Sequence, residues 1–171
     1  SMRRIININE GWKLVKEVVG SEEGAGAPGE RVNVPHTWNG TDGQDGGDDY
    51  LRTRCWYVKE FDAPALARDE RLFLEFCAVN STADVWLNGQ KIAHHDGGYS
   101  LFRADGTEAL KEHNVLVVSA DNRANEHVYP QTADFTFYGG IYRDVNLVIV
   151  GADHFSMDGV YGNGLKITPT V

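Results

Sequence analysis

The sequence has 171 residues, 42% of them hydrophobic, which is enough for one globular domain with a buried core and too few for two ordinary domains. Its formal net charge of −9 argues against binding to nucleic-acid phosphates, which needs clustered Lys and Arg, and against docking on an anionic membrane surface. No apolar stretch approaches membrane-spanning length, and Ser1-Met2 is typical of a remnant of tag removal before a native Met.

Apolar and polar residues alternate along most of the chain, which predicts β-strands. In residues 71–77, for example, Leu72, Leu74 and Phe76 fall on one face of the predicted strand. The runs at 115–120 and 145–150 are apolar on both faces, as expected of central strands in a two-layer core. In chain order, strands are predicted at residues 3–8, 12–18, 31–34, 55–61, 71–77, 82–87, 90–93, 115–120 and 145–150.

Turn signals separate these strands. Asn88-Gly89 lies between two alternating runs and predicts a tight hairpin over residues 82–95, because both turn positions need a positive φ. One short helical turn is predicted at residues 107–110. Short strands without strand–helix alternation predict an all-β fold, a β-sandwich or jelly roll.

Two stretches are too long to be ordinary connections. Residues 39–50 are rich in Asp and Gly, and their oxygen donors allow either a solvated turn, which is favoured, or a Ca²⁺ site without the spacing of an EF-hand. Residues 121–140 mix polar and aromatic residues. Aromatic residues near the predicted loops could either stack on sugar rings or plug the ends of the sandwich; they are Trp38, Tyr50, Tyr99, Phe135, Phe137 and Tyr138.

Metal and disulfide chemistry finds little support in the sequence. His94 and His95 point to opposite faces of a strand, so they are not expected to bind one ion together, and no transition-metal spacing is present. Cys55 and Cys77 are predicted to be small buried residues without a disulfide between them. The sequence leaves the compartment open, with a slight preference for a bacterial cytoplasm.

The motif in residues 139–145, Gly-Gly-Ile-Tyr-Arg-Asp-Val, resembles the signature that closes the N-terminal sugar-binding domain of glycoside hydrolase family 2. Further motifs resemble the same domain in the same order, and they lie at residues 9–12, 34–39, 42–47, 55–57, 85–89 and 97–99. The resemblance implies a jelly roll of the galactose-binding-domain type over residues 1–154. Residues 155–171 would then be a linker and the first strand of an immunoglobulin-like domain, followed in the family by a TIM barrel.

The resemblance also implies which residues bind substrate. Asp134 matches an aspartate that reaches from this domain into the barrel's active site, where it binds sugar hydroxyls and, in some members, a sodium ion. Asn39 matches an asparagine with a similar role. Arg143 and Asp144 are expected to hold the Asp134 loop in place as a charge pair or turn lock. Both catalytic glutamates of the family lie in the barrel, so no catalytic residue is expected in this chain.

The function implied first is the non-catalytic domain of a retaining β-galactosidase from a homo-oligomeric parent, with the rest of its own chain and a galactoside as partners. The Asp-Gly-Gln-Asp-Gly-Gly loop at 42–47 favours galactosides, but the same domain of a β-glucuronidase or β-mannosidase stays open. A stand-alone carbohydrate-binding module and a purely structural interaction domain are the alternatives. No cofactor other than the sodium ion is expected, and the fragment alone is predicted to be inactive.

Overall fold

The computed structural model describes residues 3–16, 26, 28–38, 54–80, 82–96, 101–121, 139–141 and 143–151. These residues contain thirteen β-strands and a short 3-10 turn at Thr107–Ala109. The strands are β1 Arg4–Asn7, β2 Trp12–Lys16, β3 Glu30–Val32, β4 His36–Trp38, β5 Arg54–Asp62, β6 Glu70–Phe76, β7 Val79–Asn80, β8 Thr82–Leu87, β9 Gln90–His95, β10 Phe102–Asp105, β11 His113–Asp121, β12 Gly139–Ile141 and β13 Val145–Gly151. No helix in this described part of the chain is long and apolar enough to cross a membrane.

The strands form three antiparallel sheets. A four-stranded sheet has the order β1-β13-β6-β10, and a six-stranded sheet has the order β3-β2-β5-β11-β8-β9. A small three-stranded sheet, β4-β12-β7, joins segments from three distant parts of the sequence. Neighbours in each sheet are mostly distant in sequence, as in a jelly roll, so the predicted all-β fold is confirmed.

The core lies between the two larger sheets. Leu72, Leu74 and Phe76 of β6 point into it and are fully buried, as their spacing predicts. Tyr57 of β5 and Leu116 of β11 enter from the opposite sheet. The predicted central strands are confirmed, since β11 lies between β5 and β8, and β13 lies between β1 and β6.

One end of the sandwich, which we call the closed end, is formed by the β8–β9 turn, the 3-10 turn and residues 110–114. Asn88 has a φ of 54° and Gly89 a φ of 83°, as the Asn-Gly prediction requires. The Asn88 amide donates to the carbonyl of Ala109 (2.8 Å) and to Oδ1 of Asn114 (2.9 Å), and its oxygen accepts from the N–H of Val115 (2.9 Å). The side-chain amide of Asn88 therefore joins the β8–β9 turn to the 3-10 turn and to the start of β11.

The sequence missed four short strands: β4, β7, β10 and β12. Their lengths are 3, 2, 4 and 3 residues, too short to show alternation. Consequently the stretch 121–140 is wrongly predicted as loop at its C-terminal end, because Gly139–Ile141 is a strand. Of the two cysteines predicted to be buried, Cys55 of β5 is fully buried, whereas Cys77 lies just beyond β6 and is only half-buried.

Candidate functional site

The three-stranded sheet brings together the two segments that the sequence singled out. β4 pairs with β12 so that Trp38 is opposite Gly139 and His36 is opposite Ile141. Asn39 follows Trp38 directly, and Asp134 precedes Gly139 by five residues in the sequence. Both predicted substrate-binding residues, Asn39 and Asp134, lie outside the described residues. The structure therefore places the ends of their segments side by side without testing either role.

The central strand of this sheet needs its glycine. Gly140 has a φ of 127°, which residues with a Cβ rarely adopt, and it is buried between Thr37 of β4 and Asn80 of β7. Ile141, the next residue, is fully buried in the main core. The second glycine and the isoleucine of the signature thus anchor the sheet to the sandwich.

β4 is tied to the core by an aromatic contact. Nδ1 of His36 lies 2.8 Å from the hydroxyl of Tyr57, and the two rings meet edge to face with centroids 5.7 Å apart. Tyr57 is fully buried and also makes an edge contact with Trp12. The start of the strand that leads to Asn39 is therefore fixed against buried rings.

The end of the signature is held by Asn9. Asp144 accepts a hydrogen bond from the Asn9 side-chain amide (3.0 Å), and its carbonyl accepts from the N–H of Cys77 (3.1 Å). Arg143 is exposed. Asp144 is thus bound to Asn9, while the expected role of Arg143 and Asp144 in holding the Asp134 loop stays a prediction, because that loop lies outside the described residues.

A second polar cluster, which the sequence analysis missed, lies on the outward face of the six-stranded sheet. The buried carboxylate of Asp84 accepts from Nδ1 of His94 (2.5 Å), from Lys91 (3.1 Å) and from Arg54 (3.4 Å). This hydrogen bond to Asp84 is the main cause that raises the pKa of His94. The alternation of 82–87 put Asp84 on the outward face, but no sequence pattern shows that cations from β5 and β9 meet there.

Apolar side chains continue this outward face. Trp56 and Trp86 pack with ring centroids 5.4 Å apart, the Arg54 guanidinium lies 4.9 Å from the Trp56 ring, and Lys91 Nζ lies 5.8 Å from the Trp86 ring.

His95, as predicted, points to the opposite face from His94, and it stacks on Phe102 with centroids 4.4 Å apart. Burial is the main cause that lowers the pKa of His95.

A crevice of about 590 Å³ opens beside the ends of β1 and β5. Its charged lining includes Glu10, Lys59, Glu60, Asp62 and His113. His113 bridges Asp62 and Glu60 at 2.9 Å each, and these hydrogen bonds, first the one to Asp62, raise its pKa. Within the described ranges, no group of three or more His, Cys, Asp or Glu side chains could hold a metal ion.

Of the six predicted loop aromatics, one lies in a described strand. Trp38 ends β4, whereas Tyr50, Tyr99, Phe135, Phe137 and Tyr138 lie outside the described residues, as does the acidic stretch 39–50. Neither the stacking of sugars nor the calcium alternative is tested by the structure. Both stay predictions.

Comparison with known proteins shows which family the chain belongs to. Residues 47–151 match the model of the family "Glycosyl hydrolases family 2, sugar binding domain". A β-glucuronidase of Bacteroides fragilis is 39% identical over 153 residues, which are 87% of this chain and 21% of that protein. The chain thus spans about a fifth of the length of the curated relatives it matches.

Solved structures agree with the sequence match. The crystal structure of an FMN-binding β-glucuronidase from Faecalibacterium prausnitzii L2-6 is 40% identical, with a TM-score of 0.72 over 88% of this chain and 23% of that one. A putative β-galactosidase from Bacteroides fragilis is 33% identical, with a TM-score of 0.73 over 88% of this chain and 24% of that one. The chain therefore belongs to glycoside hydrolase family 2, in which it corresponds to the N-terminal sugar-binding domain.

Proposed function

We propose that this domain frames the sugar-binding subsite of a retaining glycosidase that cleaves terminal β-glucuronides. The pairing of Trp38 with Gly139 carries the proposal, because the strand residue before Asn39 and the first strand residue after the Asp134 stretch lie opposite each other at one end of a small sheet. The side-chain oxygens of an asparagine and an aspartate can accept hydrogen bonds from sugar hydroxyls. A retaining glycosidase also needs two carboxyl groups about 5 Å apart. We assign both to a barrel domain outside this sequence.

The preference for glucuronides revises the galactoside expectation. The two β-glucuronidases named above are 39% and 40% identical to this chain, and the putative β-galactosidase is 33% identical. These differences favour glucuronides without excluding galactosides, since this domain contributes only part of the subsite. The sodium ion at Asp134 stays a prediction, and no step of the proposed function depends on it.

The experiment compares p-nitrophenyl β-glucuronide, β-galactoside and β-mannoside as substrates of the full-length protein. We expect the highest kcat/KM on the glucuronide, and a higher value on the galactoside would restore the first expectation. Asp134→Ala should lower kcat/KM by roughly 10- to 100-fold, because a hydrogen bond to a charged group is worth about 1.5–3 kcal/mol. The matched control is Asp62→Ala, an exposed carboxylate in the crevice, which should leave kcat/KM unchanged.

The isolated 171-residue chain should hydrolyse none of the three substrates. Turnover above a buffer blank that persists through further purification would contradict the assignment of catalysis to another domain. Full activity of Asp134→Ala in the full-length protein would instead favour a purely structural role for this domain.

A further inference from the structure

Asn9 lies between β1 and β2 and contacts two remote parts of the chain. Its carbonyl accepts a hydrogen bond from the N–H of Val34 (2.8 Å). Its side-chain oxygen accepts from the N–H of Val145 (2.9 Å), and its side-chain amide donates to the carboxylate of Asp144 (3.0 Å). The Asn7 side chain accepts from the Asn9 N–H (3.0 Å), which fixes the backbone of Asn9 itself.

These contacts lie next to the two strands, β4 and β12, that border the segments containing Asn39 and Asp134. Val34 is two residues before β4, the strand that leads to Asn39. Asp144 and Val145 follow β12, whose other end is preceded by the segment of Asp134. Because β4 and β12 are also paired with each other, Asn9 and this pairing together set where both segments leave the sandwich.

We propose that Asn9 is a positioning residue for substrate binding, acting through the anchors of the Asn39 and Asp134 segments. This inference rests on the function proposed above. The chemistry requires an amide, since the side chain must accept from one neighbour and donate to another at once. An aspartate at position 9 keeps the acceptor for Val145 but faces the Asp144 carboxylate with a like charge.

The test is a hydrogen-bond reversal in the full-length protein. Asn9→Asp should raise KM for the glucuronide by about tenfold and change kcat less than about threefold, since loss of a hydrogen bond to a charged group displaces the binding segment and leaves the barrel's catalytic groups alone. The double variant Asn9→Asp/Asp144→Asn should return KM to within about twofold of the parent, because the amide at 144 can now donate to the carboxylate at 9. Glu10→Gln, an exposed charge change on the same connection, is the matched control and should leave KM unchanged.

A structural role alone would give a different pattern. The inference is overturned if Asn9→Asp alters KM no more than Glu10→Gln does, or if the double variant regains the parent's free energy of unfolding but keeps the raised KM. Asp134→Ala separates the two proposals. Loss of activity in Asp134→Ala with a normal KM in Asn9→Asp rejects the positioning role alone, whereas full activity in Asp134→Ala rejects the proposed function.

Discussion

The closed end of the sandwich and the three-stranded sheet both have to satisfy backbone groups where the main sheets stop, and they do so differently. At the closed end, Asn88 and Asn114 hydrogen bond to each other and to backbone groups of the neighbouring connections. The three-stranded sheet instead joins strands of two or three residues. His36 of this sheet contacts Tyr57, and Asn9 hydrogen bonds to residues that flank β4 and β12. We therefore expect substitutions at the closed end to lower mainly the free energy of unfolding, and substitutions around the small sheet to alter mainly substrate binding.

The largest expected effect tests the closed end. Asn114 is fully buried, accepts from Lys111 N–H (2.8 Å) and from the Asn88 amide, and donates to the carbonyls of Lys111 (2.9 Å) and Phe61 (3.3 Å). Asn114→Ala should lower the free energy of unfolding by about 3 kcal/mol, because several buried polar groups lose their partner together. Urea denaturation measures this loss, and KM of the folded full-length variant should stay unchanged.

Ser119→Ala is the control for that loss. Ser119 is as buried as Asn114, but its hydroxyl oxygen has no hydrogen-bond partner among the described residues. Its removal should change the free energy of unfolding by less than about 0.5 kcal/mol, or stabilise slightly, since no bond is lost. If the two variants lose the same stability, the loss at Asn114 comes from general repacking and the closed end has no special role.

The second prediction moves to the three-stranded sheet. Tyr57→Phe removes the hydroxyl that contacts Nδ1 of His36 and keeps the ring in the core. We expect a loss of about 1 kcal/mol in the free energy of unfolding, smaller than at Asn114. In the full-length protein KM should nevertheless rise several-fold, because β4 leads directly to Asn39.

Measurement of both quantities in both variants sharpens the comparison. Asn114→Ala should lower the free energy of unfolding and leave KM unchanged. Tyr57→Phe should raise KM several-fold although its loss of stability is smaller. An increase in KM that follows the stability loss in both variants would mean that the two regions are not functionally distinct.

The same contrast explains what the sequence could predict. The long strands follow from alternation, since Leu72, Leu74 and Phe76 repeat with period two, and the β8–β9 turn follows from the φ requirement of Asn88-Gly89. The three-stranded sheet could not be derived in this way. Gly139–Ile141 is too short for a pattern, and its partners come from residues 36–38 and 79–80. The family resemblance marked motifs at 34–39 and 139–145 but predicted no strand pairing between them.

The residues of the candidate site likewise differ in whether the sequence could indicate them. Asn39 and Asp134 came from motif resemblance and stay predictions, whereas Asp144 was expected to act as a lock and does bind Asn9. Nothing in the sequence indicated Asn9 as its partner, because the two residues are 135 positions apart. The cluster at Asp84 was missed for the same reason, since it depends on the register of three strands.

The smallest expected effect concerns protonation at the end of β9. The hydrogen bond between His94 and the buried Asp84 raises the pKa of His94 above its ordinary value. Burial lowers the pKa of the neighbouring His95. A raised folded-state pKa stabilises the protein fully below the unfolded value of about 6.5, and this contribution is lost as pH rises through the folded pKa. His94→Asn should therefore cost about 0.5 kcal/mol near pH 5.5, since His94 is half exposed, and less near pH 8.

His95 should behave with the opposite sign. Its lowered pKa means that the unfolded chain takes up the proton first, so protonation of this residue opposes folding below about pH 6.5. NMR titration of the two imidazoles should show His94 titrating above His95. In urea denaturation, the difference in free energy of unfolding between the parent and His94→Asn should change with pH in the opposite sense to the difference between the parent and His95→Asn. Equal titration midpoints would contradict the contact between His94 and Asp84.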